Sequence, residues 1–130
     1  MPGAAAHNNL VIAWLWILVG FVVGLYLGLN FHKENWLGGY ASMKRRMYRL
    51  GHISFFGLGV INLLFYFTVA IAGLNGISIG VASTAFVVGA VSMPMCCFAM
   101  AQTEKVRLLF GLPIASLLLA GSLTLMEIIR

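Results

Sequence analysis

The sequence predicts an all-α integral membrane protein, four transmembrane helices in an up-down bundle, and three observations carry that expectation. The 130 residues are 62% hydrophobic and only 8% charged, an apolar load that a soluble domain of this length cannot hide. Four apolar runs, each long enough to cross a hydrocarbon core of about 30 Å, occupy nearly all of residues 1–130. They make a single domain and leave no room for an extramembrane catalytic one. Charge is confined to the connections: Lys33, Lys44, Arg45, Arg46 and Arg49 lie between the first and second runs, Lys105 and Arg107 between the third and fourth, and none between the second and third. Basic connections mark the cytoplasmic face. The sequence therefore predicts a plasma or inner-membrane protein with its basic loops in the cytoplasm and both termini outside.

The first span runs from about Leu10 to Leu29, with Trp14, Trp16 and Tyr26 supplying its only polar side-chain atoms. No base precedes it and no small-x-small exit follows it, so it reads as an uncleaved helix rather than a signal peptide. His7, Asn8 and Asn9 read as an outward tail. Gly20, Gly24 and Gly28 repeat every four residues, which stacks them on one stripe where a neighbouring helix can approach closely. That neighbour is expected within the chain; a second protomer or another membrane subunit is the alternative.

After the first span, Tyr40, Met43, Met47 and Leu50 recur at helical spacing while Arg45, Arg46 and Arg49 fall opposite them. This pattern predicts a short amphipathic helix in the headgroup layer. Gly38 and Gly39 supply a corner, and Trp36 an interfacial anchor. Lys44, Arg45, Arg46 and Arg49 are expected to meet anionic lipid or an acidic partner. Nucleic acid is not expected, because no aromatic platform accompanies the bases.

The second span, about Leu50 to Ala72, carries His52, Gly59, Tyr66 and Gly73 at seven-residue intervals, with Asn62 near the same face. An amide facing lipid would waste its hydrogen bonds, so Asn62 should clasp a neighbouring helix at Ser83, Thr84, Ser116 or Thr124. The third span, about Ser78 to Ala101, contains Pro94 amid Met93, Met95, Cys96, Cys97 and Met100. The fourth, about Leu108 to Ile128, has Ser116, Ala120, Thr124 and Glu127 on one stripe. There Glu127 should be solvated or paired with Arg130.

Topology brings His52, His32 and the sulfur-bearing residues to similar depth. Imidazole, thioether and thiolate suit copper, and a histidine pair suits haem iron. The candidate cofactor residues are therefore His52 and His32 for haem b, and His52, Met93, Met95, Cys96 and Cys97 for copper. Packing is the favoured reading, since Met fills gaps and buried Cys behaves as a small hydrophobe. No phosphate loop, catalytic triad or carboxylate pair occurs among residues that include three Glu and no Asp, so hydrolytic and phosphoryl-transfer chemistry is not expected. The leading expectation is a non-enzymatic accessory or scaffold subunit in a complex or homo-oligomer. Electron transfer through a haem or metal on His52 is the first alternative. A small transporter or channel using Asn62, Tyr66 and Glu127 is the second.

Overall fold

A computed structural model describes residues 4–130. Among these residues there is no strand, and all four apolar runs are helices long and apolar enough to cross a membrane. Helix α1 spans His7–Asn30, α2 Met43–Ala72, α3 Ile77–Gln102 and α4 Gly111–Ile129. Short 3-10 turns lead into α1 and α4, and a third lies between α1 and α2.

Two boundaries depart from expectation for physical reasons. Residues 43–50 are not a separate interfacial helix, because α2 runs unbroken from Met43. The Ser42 hydroxyl caps its start by accepting from the Arg45 backbone N–H at 3.1 Å, and no breaker separates the basic turns from the apolar span. At thirty residues the helix is about 45 Å long, so its first turns extend past a hydrocarbon core of about 30 Å. The start of α1 also comes earlier than expected: the helix begins at His7, and Asn9 is fully buried rather than part of a tail. At the far end of α2, Gly73 adopts a left-handed φ of 65°. The Leu74 N–H then returns to the Val69 carbonyl at 3.0 Å, closing the helix and turning the chain into α3.

Each helix packs on its successor in reversed order. Along α1, Gly20 lies against Phe56 and Gly24 against His52 of α2. From α2 to α3, Phe65 meets Phe86 with ring centroids 4.9 Å apart, and Phe55 meets Phe98 at 6.0 Å. From α3 to α4, Gly89 lies against Leu117, and Cys96 against the backbone of Leu109 in the 3-10 turn that leads into α4. The continuous core joins Phe65 and Val69 to Ile79, Ala82, Ala85, Phe86 and Ala120. With Ala6, half of its residues are alanines, while many Leu, Ile and Val side chains face outward. Lipid tails are as apolar as leucine, so association depends on close backbone approach rather than on hiding large side chains. Helix α4 buries only Pro113 and Ala120.

Candidate functional site

Three polar residues within the spans, Asn9, Asn62 and Ser83, form an interhelical network at the end of the molecule away from the basic loops. Asn9 of α1 donates from Nδ2 to Asn62 Oδ1 at 2.8 Å and to the Ser83 carbonyl at 3.2 Å. Ser83 of α3 donates its hydroxyl to Asn9 Oδ1 at 2.5 Å, and Asn62 of α2 donates to the Leu58 carbonyl at 2.8 Å. All three side chains are buried. Each amide oxygen accepts and each amide nitrogen donates within the chain, which is what a buried amide requires. Ser83 was among the partners expected for Asn62, but Asn9 mediates the contact. At the head of an apolar run, an asparagine in the first turn of a helix looks the same as one in a tail.

A second link joins α1 to α3 through Pro94. Proline has no N–H, so the carbonyl four residues earlier, that of Ala90, loses its ordinary helical donor. The Trp16 indole Nε1–H of α1 donates to that carbonyl at 2.7 Å, while the Trp16 ring stands edge-on to Phe55. Near the start of α4, the Leu109 carbonyl accepts from the Gly111 backbone N–H, and the Cys96 thiol of α3 donates to it as well, at 3.4 Å. The sequence contained the first half of this signal, since Pro94 marks Ala90; it did not mark Trp16 as the donor.

His52 lies in the notch made by the glycine stripe. Its Nε2 is 3.1 Å from the Gly20 carbonyl; a carbonyl only accepts, so Nε2 carries the proton and donates. The ring stands edge-on to Phe56 with centroids 5.4 Å apart. A Cβ on Gly24 would stand 2.7 Å from His52 Nε2, and one on Gly20 would stand 2.9 Å from the Phe56 ring, whereas Gly28 has nothing within 4 Å. Two glycines of the stripe therefore receive rings from α2, and the third does not. Among the described glycines, Gly59 is the one whose added Cβ would meet the backbone of another helix, 3.1 Å from the Ala13 carbonyl oxygen.

The candidate cofactor residues are dispersed. His32 is exposed and lies beyond the end of α1, eight residues past Gly24 and so about 12 Å further along the helix direction. Cys96 turns toward the chain before α4, while Cys97 is wholly buried; successive helical residues diverge by about 100°. Met93 is half-buried and Met95 exposed. Among the described residues no group of three or more His, Cys, Asp or Glu could hold a metal ion. The His52 imidazole has its Nε2 engaged by the Gly20 carbonyl. We expect His52→Gln, whose amide can still donate to Gly20, to unfold within about 1 kcal/mol of the parent in detergent, and His52→Leu to lose up to about 2 kcal/mol. Thermal unfolding followed by circular dichroism measures both, and equal loss in the two variants would exclude the hydrogen bond as the cause.

The other polar residues also part company. Thr124 donates to the Ala120 carbonyl of its own helix at 2.7 Å and lines a groove beside Phe65 and Phe86. Ser116 lines a different groove with Gly80 and Thr84. Glu127 pairs with Arg130 at 3.6 Å near the end of α4. The Tyr66 ring packs edge-on to Phe67, 5.6 Å away.

At the basic end, Arg45 turns inward, against the expectation that it meets lipid or a partner. It is 1% exposed and donates to the Phe31 carbonyl at 2.5 Å and to the Lys33 carbonyl at 3.1 Å. Its guanidinium lies over Tyr40, Phe31 and Trp36, at 4.0, 4.8 and 5.4 Å from their ring centroids. Three successive residues there, Leu37, Gly38 and Gly39, have positive φ, and for Leu37 that conformation is strained. Ser42 helps to hold it by donating to the Leu37 carbonyl at 2.6 Å. Lys44, Arg46 and Arg49 stay exposed.

No protein-family model matches the chain, and comparison with curated proteins and with solved structures gives no match either.

Proposed function

We propose that the chain is a small non-enzymatic integral membrane protein, an up-down four-helix bundle that serves as an accessory or scaffold subunit in a membrane complex or homo-oligomer. The observation that supports this reading is how the polar groups within the spans are used. Asn9, Asn62 and Ser83 satisfy one another, His52 is bound to Gly20, and Trp16 is bound to Ala90. These groups hold helices together instead of converging on a substrate. Helix α4, with so little of itself buried, keeps Leu112, Leu118, Leu119 and Leu125 available to a neighbouring membrane helix or to lipid. Blue-native electrophoresis after mild extraction from the native membrane tests the proposal. Migration above the monomer supports it, and a monomer that co-migrates with nothing overturns it.

In this reading the basic first turns of α2 lie in the cytoplasmic headgroup layer, and His7 and Arg130 face outward, as the distribution of bases requires. In a background lacking Cys96 and Cys97, Lys44→Cys and Lys105→Cys should be shielded from an impermeant thiol reagent applied to intact cells, whereas Ala4→Cys should react. Reaction of the first two would invert the orientation.

A further inference from the structure

Helices α1 and α3 leave a groove of about 560 Å³ at the basic end, lined by Val22, Val23, Tyr26, Leu27, Tyr48 and Phe98. Its origin lies in the packing. In its first half α1 is tied to α3 by Asn9 and Trp16. Further along, Phe98 of α3 packs on Gly51 of α2, where an added Cβ would stand 2.7 Å from the ring. The walls are aliphatic and aromatic, and Tyr48 supplies a polar lip: its hydroxyl accepts from Gln102 Nε2 at 3.1 Å and keeps its own proton to donate.

Exposed bases without an acidic partner lie close along the chain to Tyr48 and to its donor Gln102. Lys44 precedes Tyr48 by one helical turn on the same stripe of α2, and Lys105 follows Gln102 by three residues; both are exposed. The connections at this end hold seven bases against Glu34 and Glu104. Among the described residues the sole ion pair is Glu127 with Arg130, at the opposite end. An apolar slot beneath a cationic rim, with a hydroxyl donor where they meet, complements an amphiphile with a negative headgroup.

We propose that this groove binds one anionic phospholipid, its acyl chain along Val22, Val23, Leu27 and Phe98 and its phosphate at the Tyr48 hydroxyl and Lys44. An extended acidic peptide is the poorer occupant, because a strand lying in the hydrocarbon layer would leave its backbone N–H and C=O groups unpaired, a cost an acyl chain does not carry. The inference depends on membrane embedding and not on the scaffold reading.

Native mass spectrometry of the purified full chain, titrated with phosphatidylglycerol and separately with phosphatidylcholine, tests it. The first phosphatidylglycerol adduct should form in preference to phosphatidylcholine. Lys44→Gln should weaken that adduct about fivefold, the equivalent of about 1 kcal/mol for one base near the surface. Val23→Trp, which fills the slot without touching the charge, should weaken it at least as much, while Arg130→Gln at the other end should leave it unchanged. Circular dichroism and a monodisperse elution profile establish that each variant is folded. Equal affinity for the two lipids overturns the proposal. So does a loss with Lys44→Gln but none with folded Val23→Trp, which would reduce the effect to diffuse surface charge. Because the measurement uses the isolated chain, its failure leaves the electrophoretic test of the scaffold reading intact.

Discussion

Arg45→Leu should destabilise the protein by about 3 to 5 kcal/mol, because it removes two charge-assisted hydrogen bonds and leaves two backbone carbonyls without their donor. The leucine can fill part of the space among Phe31, Trp36 and Tyr40. It cannot donate to the Phe31 and Lys33 carbonyls, which the guanidinium reaches together, and hydrogen bonds to charged groups contribute about 1.5 to 3 kcal/mol each. Arg45→Lys should recover only part of the loss, because an ammonium lacks the planar fork that serves two carbonyls while stacking on rings. Thermal unfolding in detergent gives the stability, and limited proteolysis at Lys33 and Lys44 reports on the connection itself. Wild-type stability in both variants would show that the aromatic cage holds without the guanidinium.

Gly59→Leu should be the most damaging glycine substitution at the α1–α2 contact, and Gly57→Leu, two residues away, should be nearly silent. At Gly59 the added Cβ would meet the Ala13 carbonyl oxygen at 3.1 Å and Ile17 Cγ1 at 3.2 Å, whereas at Gly57 nothing lies within 4 Å. A backbone oxygen cannot rotate away as a side chain can, so the helices must separate. Overpacking of this kind costs about 1 to 3 kcal/mol, occasionally more, and here it also strains the nearby Asn9–Asn62 bond. Comparing the unfolding temperatures of the two variants checks the prediction, and similar temperatures would place the α1–α2 contact elsewhere.

The spans were legible because lipid imposes length and apolarity on any helix that crosses it, and those are properties of single segments. Pairings between segments were less so. Asn62 announced itself as an amide in mid-span, but the identity of its partner depended on the depth at which α1 starts, which three polar residues in its first turn disguise. Arg45 was indistinguishable from Arg46 and Arg49 in a run of bases. What separates it is the fold of the preceding loop, with three positive-φ residues that bring two carbonyls and three rings to one side chain. The sulfur residues were grouped by depth, whereas their azimuth around α3 sends Cys96 toward the turn before α4 and leaves Cys97 buried elsewhere. Spacing along a chain gives height in the membrane well and direction around the helix only when a neighbour is already known.

The bond from Trp16 to Ala90 has a consequence for biosynthesis. Until α1 is docked, α3 carries a backbone carbonyl that its own proline cannot serve, and in hydrocarbon such a group costs several kcal/mol. The ribosome makes α1 first, so the indole is already in the bilayer when α3 leaves the translocon. A chain rearranged so that α3 is synthesised ahead of α1 would meet the same final contacts, yet it would have to hold a half-finished helix in the membrane while waiting for its missing donor.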